Sequence, residues 1–312
     1  MKSSILLTGG SGQLGGELLR FLPRLGDVVA PDRRQMDLTK PGDIRRVLRE
    51  TRPGLIVNAA AYTNVDQAES DKDTSRAVNA DAPALIAEEA KKTGAALVHY
   101  STDYVFDGTQ RTPYRESDRT NPVNVYGRTK LAGEQAVQSA GIPHLILRTS
   151  WLFGTRSQNF LTAVLKMATQ QEELKMVADQ TGGPTSSLKV AEATARILEG
   201  LGQPGGADPV WARASGIYHL TAGGAASRYE QVLAIIEEAR QAPSSLSWFA
   251  AATGGRPIVA RRVVPITTAE QPKPARRPAY SVLSNALLLE TFGIELPDWR
   301  AQLHSAFTTE NA

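Results

Sequence analysis

Cysteine is absent from all 312 residues, which excludes disulfides, thiolate nucleophiles, Cys-ligated zinc and iron–sulfur clusters together. Histidine is scarce: His99, His144, His219 and His304 stand far apart, without the close spacing of a His-based metal site. Charge of one sign is not in excess either. Lys and Arg number 35 against 32 Asp and Glu, a net +3, and the charges are interspersed. The sharpest basic cluster, Arg261-Arg262 with Arg276-Arg277, is short, so neither nucleic acid nor a membrane surface is expected as a partner. No apolar run approaches the ~20 residues that span a bilayer. The run Ile5-Leu6-Leu7 ends at Thr8-Gly9-Gly10, too soon for a signal-peptide core. A soluble, cytoplasmic protein is expected. The 41% hydrophobic and 21% charged composition is that of a globular chain, long enough to bury a core without staples.

The first half alternates short apolar runs with longer amphipathic ones. Strands are expected at residues 5–8, 28–30, 55–58, 97–101 and 145–148, with helices near 12–23, 42–51, 67–92 (broken at Pro83) and 122–140. Pro41 suits the first turn of the second helix, where its missing N–H is no loss. Such alternation, with strands apolar on both faces, indicates an α/β fold: a Rossmann-type, doubly wound parallel sheet. Beyond residue 150, helices near 158–170, 187–201, 227–241 and 284–292 are separated by Gly/Pro-rich loops at 203–209 and 271–278. Short strands are expected at 175–177, 217–220 and 258–264. Residues 1–150 therefore read as a dinucleotide-binding domain. Residues 151–312 read mainly as a smaller α/β substrate lobe, with room for segments that return to the first domain. The lobe should sit at the carboxyl edge of the sheet, where open α/β folds bind ligands.

Between the first strand and helix stands Thr8-Gly9-Gly10-Ser11-Gly12-Gln13-Leu14-Gly15-Gly16. Gly9 allows the tight turn, Gly12 lets the backbone approach a pyrophosphate, and Gly15 lets the helix pack close to the sheet. Free N–H groups at the helix start then face the phosphates. Asp32 follows twenty residues after Gly12, at the expected end of the second strand, with Arg33 and Arg34 beside it. An acid there takes the ribose hydroxyls of NAD, and an Arg accommodates the 2′-phosphate of NADP. Both are present, so NADH and NADPH stay open.

Tyr126 and Lys130 lie four residues apart, on one face of a helix. An ammonium beside a phenol lowers its pKa from ~10, and such a tyrosine can protonate a carbonyl oxygen as hydride reaches its carbon. Ser101 or Thr102, at the carboxyl end of the fourth strand, offers a hydroxyl to share the developing charge. The run Asn58-Ala59-Ala60-Ala61-Tyr62-Thr63 leaves room for a cofactor.

Together these strings resemble the extended short-chain dehydrogenases/reductases, and within them the dTDP-4-dehydrorhamnose reductase family. The likeness is carried by Val57-Asn58-Ala59-Ala60-Ala61-Tyr62-Thr63, Val65-Asp66-Gln67-Ala68-Glu69 and His99-Tyr100-Ser101-Thr102-Asp103-Tyr104-Val105-Phe106. Further on it rests on Asn124-Val125-Tyr126-Gly127-Arg128-Thr129-Lys130-Leu131-Ala132-Gly133-Glu134, Arg148-Thr149-Ser150-Trp151 and Arg277-Pro278. It spans nearly the whole chain. The resemblance implies NAD(P)H-dependent reduction of the 4-keto group of dTDP-6-deoxy-L-lyxo-4-hexulose to dTDP-L-rhamnose. It makes Tyr126 the proton donor, with Lys130 tuning it and holding the nicotinamide ribose, and gives Thr102 the 4-oxygen. Asp103 and Trp151 would line the substrate pocket, and Arg277 would meet the substrate phosphates. For the cofactor it implies Gly9, Gly12, Gln13 and Leu14 at the pyrophosphate, Asp32 and Arg33 at the ribose, and Asp37 and Leu38 at the adenine. Ala61, Tyr62, Thr63 and Tyr100 would contact the remainder. Some members dimerise around Mg²⁺ held by glutamates. Glu17 matches one such position, but Leu188 stands where another ligand belongs, so a monomer or metal-free homodimer is expected. A reductase or epimerase for another nucleotide sugar, and a non-catalytic cofactor-binding regulatory subunit, are the alternatives.

Overall fold

The computed structural model describes residues 4–202, 209–243 and 245–308. Most of the expected loop at 203–209 therefore lies outside the described residues. The dinucleotide-binding half runs β1 (Ser4–Thr8), α1 (Gln13–Phe21), β2 (Asp27–Val29), α2 (Pro41–Thr51), β3 (Leu55–Asn58), α3 (Val65–Ala68), α4 (Lys72–Arg76), α5 (Ala82–Thr93), β4 (Ala96–Thr102), α6 (Val125–Ser139) and β5 (His144–Thr149). After it come β6 (Leu152–Phe153), α7 (Phe160–Ala168), β7 (Glu173–Val177), β8 (Thr181–Gly182), β9 (Thr185–Ser186), α8 (Ser187–Leu201), α9 (Pro209–Ala214) and β10 (Gly216–His219). The chain ends through β11 (Ala226–Ser227), α10 (Arg228–Gln241), α11 (Ser247–Thr253), β12 (Arg262–Ile266), α12 (Ala286–Phe292) and α13 (Trp299–Thr308).

Six parallel strands form the central sheet in the order β10-β5-β4-β3-β1-β2. The period of two along each strand sends Ile5, Leu7, Leu55, Val57, Val98 and Leu147 to one face. There they pack with Leu14 and Leu18 of α1, Val190 and Leu198 of α8, and Trp211 of α9. Leu6, Ile56, Leu97 and Ile146 point the other way, onto Ile44 and Leu48 of α2, Ile86 of α5 and Val137 of α6. Both faces are thus covered, as parallel sheets require. A separate core, with Leu161 and Leu165 of α7, Ile235 of α10 and Trp299 and Phe307 of α13, forms the second lobe. Several elements beyond residue 150, among them α8, α9 and β10, belong to the central sheet and its covering layer.

The long helical stretch at 67–92 does not break at Pro83. It divides earlier, into α3, α4 and a π-turn over residues 77–81, and Pro83 falls in the first turn of α5, where a proline is tolerated. The second strand ends at Val29, so Asp32 occupies the following turn rather than the strand end. Its carboxylate oxygen accepts from the backbone N–H groups of Arg34 and Gln35 at 2.8 and 2.9 Å.

The chain order reverses between β1 and β3, and the turn out of β1 uses that point. Gly9 adopts φ +73°, and a Cβ there would lie 2.7 Å from the Ala60 nitrogen. At Gly15 an added Cβ would sit 2.0 Å from the Gly9 carbonyl oxygen, whereas at Gly16 the nearest atom is 3.6 Å away. Overpacking against backbone is destabilising by about 1–3 kcal/mol. Gly15→Ala should therefore unfold at distinctly lower urea than the wild type, and Gly16→Ala should track the wild type; equal midpoints would contradict the close approach.

Candidate active site

All the expected site residues except Arg277 line one cleft of about 700 Å³ along the carboxyl ends of β1, β3 and β4. Gly9, Gly12, Gln13 and Leu14 form one wall. Asp32, Arg33, Asp37 and Leu38 stand at the far end, Ala61, Tyr62 and Thr63 along the β3 loop, and Tyr100, Thr102, Asp103, Tyr126, Lys130 and Trp151 at the opposite end. The start of α1 is left free for an anion: Gly12 caps it without a side-chain bond, and its first turn carries no acid. The buried polar atoms Gln13 Nε2, Ser101 Oγ, Thr149 Oγ1 and Trp151 Nε1 have no hydrogen-bond partner among the described residues, and all four residues line this cleft. Unpaired buried groups are costly, so a polar dinucleotide fits a cleft that presents them. Thr8, Ser150 and Gln158 also line it; Thr8 and Ser150 stand within strings recognised in the sequence but were assigned no role there, and Gln158, outside them, gave no signal.

The reacting end is built on α6. Asn124 caps it by accepting from Gly127 N–H at 2.7 Å, and Gly127 allows close packing, since a Cβ there would lie 2.2 Å from the Tyr104 carbonyl oxygen. Arg148 of β5 then grips Glu134 with two bonds of 2.9 and 2.7 Å, both residues buried. This places Lys130 inside the protein. Its Nζ donates to the Tyr100 carbonyl oxygen at 2.6 Å and stands 3.4 Å from His99 Nε2. Burial pushes the Lys130 pKa down to about 8, against a raising influence from Glu134.

Burial also lifts the Tyr126 phenol above its ordinary value, and the hydrogen bond with the Thr102 hydroxyl opposes that rise. Lys130 is not among the protein groups that lower it, because its ammonium is aimed at Tyr100 and His99. The expected lowering by the lysine is thus not produced by the protein side chains alone.

Thr102 donates to Asp103 Oδ1 at 3.0 Å and accepts from Tyr104 N–H at 3.2 Å. Asp103 is buried, and its Oδ2 accepts from Ser150 at 2.9 Å and from Ser281 at 2.6 Å. One carboxylate therefore joins the end of β4, the segment after β5 and a loop of the second lobe. Desolvation raises its pKa to about 6 despite these three hydroxyls. Trp151, at φ +42°, carries its indole beneath the guanidinium of Arg228, 3.5 Å from the ring centre. A non-glycine residue held there by its surroundings is a mark of functional sites.

A second cavity of about 1270 Å³ opens between the lobes, and both Arg277 and Arg228 line it. Arg277, expected to meet the substrate phosphates, is paired: Asp66 accepts from its two terminal nitrogens at 3.0 and 2.8 Å. Arg228, which sequence reading missed, stacks on Trp151 and Phe160 and donates to Gln231 at 3.0 Å. Among the described residues no carboxylate forms an ion pair with it. Its position after Ser227 at a helix start was the available signal. Glu17 is buried and ion-paired with Arg20 at 3.1 Å and Arg156 at 3.4 Å. The described residues contain no group of three or more His, Asp or Glu side chains arranged to hold a metal ion, and no helix long and apolar enough to cross a membrane.

A parallel sheet with a glycine-lined phosphate loop at its switch point, and a Tyr/Lys helix facing a hydroxyl at the end of β4, defines an NAD(P)-dependent oxidoreductase of the extended short-chain type. The model of the RmlD substrate binding domain family matches residues 1–311. The chain belongs to that family. It is 46% identical to the dTDP-4-dehydrorhamnose reductase of Burkholderia thailandensis over 296 residues, 95% of each chain. With that of Escherichia coli K12 it shares 39% over 315 residues, covering 98% of this chain and 99% of the other. Among solved structures, the dTDP-4-dehydrorhamnose reductase of Bacillus anthracis in complex with NADP superimposes with a TM-score of 0.83 at 32% identity, over 98% of this chain and 99% of that one.

The Asp103 carboxyl yields a pH test. Its folded pKa is raised above the unfolded value, so its contribution to stability is present at low pH and is lost as pH rises through about 6. The stability of wild type relative to Asp103→Asn should therefore fall between about pH 4 and pH 7 in urea titrations. A constant difference across that range would contradict the buried carboxyl.

Proposed function

We propose that this protein reduces the 4-keto group of dTDP-6-deoxy-L-lyxo-4-hexulose (dTDP-4-dehydrorhamnose) to dTDP-L-rhamnose, with NADPH or NADH as reductant. The observation that carries this reading is that Thr102, Asp103, Tyr126 and Lys130 stand in the cofactor cleft, and that Trp151 of that cleft is stacked under Arg228 of the second cavity. A nucleotide sugar seated in the second cavity would bring its ketone to the Tyr/Thr pair. The identity of the relatives supports the same substrate.

Held in this cleft, a reduced nicotinamide would supply the hydride that C4 receives. The Tyr126 phenol gives its proton to the 4-oxygen, so that the ketone becomes an alcohol. Thr102, whose single hydroxyl hydrogen points to Asp103, would turn it to the same oxygen and take up part of its developing charge. Lys130, whose ammonium faces Tyr100 and His99, would favour the phenolate left behind only once the cofactor is bound. Gly9, Gly12, Gln13 and Leu14 would hold the pyrophosphate and Asp32 with Arg33 the adenosine ribose. Asp37 and Leu38 would flank the adenine, and Ala61, Tyr62, Thr63 and Tyr100 the remaining cofactor. Arg228, rather than Arg277, would meet the substrate diphosphate, because among the described residues no carboxylate forms an ion pair with it. Every group invoked stands on one chain, so the proposal holds for a monomer or a homodimer, working in the cytoplasm.

Incubation of the protein with NADPH and the dTDP-4-keto sugar should consume the cofactor and yield dTDP-L-rhamnose; no cofactor loss over a wide enzyme range would overturn the reading. Tyr126→Phe should lower kcat by roughly 10²–10⁴-fold, with cofactor affinity retained in fluorescence titrations. Near-normal turnover would remove the phenol from the mechanism. Losing a charge-assisted hydrogen bond weakens binding by about 1.5–3 kcal/mol. Arg228→Ala should thus raise KM for the sugar nucleotide by about 10–100-fold, and Arg277→Ala should raise it less. The reverse order would return the diphosphate to Arg277.

A further inference from the structure

Three polar side chains lie in a row across the carboxyl ends of three strands. Thr8 pairs in register with Asn58, and Asn58 with His99. Two residues earlier, the same register holds Leu6, Ile56 and Leu97 on the face that packs against α2, α5 and α6. Thr8, Asn58 and His99 therefore continue an apolar row, all buried, where leucine or valine would pack without needing partners. The Thr8 hydroxyl lies 2.6 Å from Asn58 Oδ1, Asn58 Nδ2 lies 3.0 Å from His99 Nδ1, and His99 Nε2 lies 3.4 Å from Lys130 Nζ. The row thus begins at a residue of the cofactor cleft and ends at the lysine of the site.

The direction of such a chain follows from proton counting. Burial and the charge of Lys130 hold His99 well below its ordinary pKa, so it is neutral and carries one N–H. With Asn58 Nδ2 toward the ring, Nδ1 accepts, the proton sits on Nε2, and it meets the ammonium donor to donor. A carboxamide turned over exchanges its oxygen and nitrogen at nearly the same positions. Then Lys130 donates to His99 Nε2, His99 Nδ1–H donates to Asn58 Oδ1, and Asn58 Nδ2 donates to Thr8. The Thr8 oxygen also lies 3.4 Å from the Ala60 N–H, which donates to it. Its own hydrogen is then directed away from Asn58. In this direction each of the three contacts between Lys130 and Thr8 joins a donor to an acceptor.

We propose that His99, oriented by Asn58 and Thr8, is a positioning residue that accepts a hydrogen bond from Lys130 and keeps its ammonium charged and fixed for the reduction. Tyr100 supplies the other acceptor through its carbonyl oxygen. The titratable and charged groups around Lys130 are His99 from β4 and, on its own helix, Tyr126 and Glu134, the latter bound by Arg148 of β5. The proposal rests on Lys130 serving the reduction, but the tautomer of His99 can be read without any turnover.

In ¹⁵N NMR spectra of histidine-labelled wild type near neutral pH, the His99 ring, identified by its loss in His99→Gln, should be neutral, with a protonated Nδ1 and a bare Nε2. A protonated Nε2 would overturn the proposal, whatever the activity. In kinetics, His99→Leu removes the acceptor, so Lys130 should lose its proton more readily. The alkaline limb of kcat/KM should move to lower pH by about one unit, a loss of about tenfold on that limb. His99→Gln, whose amide can accept from Lys130 and donate to Asn58, should restore the limb. An unshifted limb in a folded His99→Leu, or Gln failing to restore it, would reduce His99 to a packing role. A wild type that does not reduce the keto sugar would refute the proposed function and leave the tautomer result to stand by itself.

Discussion

A lysine ammonium enclosed beside a sheet, with no carboxylate paired to it among the described residues, is the constraint on which this site depends. An isolated buried charge is expensive, and here it is met by the Tyr100 carbonyl oxygen and by the imidazole of His99. That arrangement holds only if α6 lies hard against the end of β4. Gly127 permits the approach, and the Arg148–Glu134 pair ties α6 to β5 from inside the protein. Breaking such a pair would leave a buried charge behind. The positions of Tyr126 and Lys130 are therefore properties of the packed sheet and not of a loop.

The two lobes meet through the same few residues. Asp103 ties β4 to the segment after β5 and, through Ser281, to the second lobe. Trp151 stands between the two cavities, with Arg228 of α10 stacked on it. A ligand spanning both cavities would touch groups from both lobes at once. The Thr102 hydroxyl, proposed above to meet the reacting oxygen, is thereby bound to a carboxylate that also reaches the second lobe.

Much of this was legible in the sequence because it is local. The alternation of apolar runs located the five strands of the first half to within one or two residues, and β3 at its observed bounds. The spacing of Gly9, Gly12 and Gly15, and of Tyr126 and Lys130, specifies geometry within a turn. What could not be read depends on partners distant in the chain. Arg277 stood out as a candidate for the substrate phosphates, and its pairing with Asp66, 211 residues away, had no local sign. Arg228 is ordinary in sequence and becomes notable only beside Trp151. The helices α9, α11 and α13 were missed: they are short and owe their stability to aromatic anchors, Trp211 and Phe307 buried and Trp248 half-buried by the fold, which no long period signals. Pro83 misled because a proline in a helical stretch reads the same whether it breaks a helix or begins one.

The central claim is that a bound reduced nicotinamide and the Tyr126 phenol act on the two ends of one carbonyl bond, carbon and oxygen. Reduction with NADPH deuterated at the transferable C4 position, followed by mass spectrometry and NMR of the sugar, tests it most directly. The account predicts one deuterium per product molecule, bound to C4 of a rhamnosyl ring. Deuterium at another ring carbon, or a product without label, would contradict it.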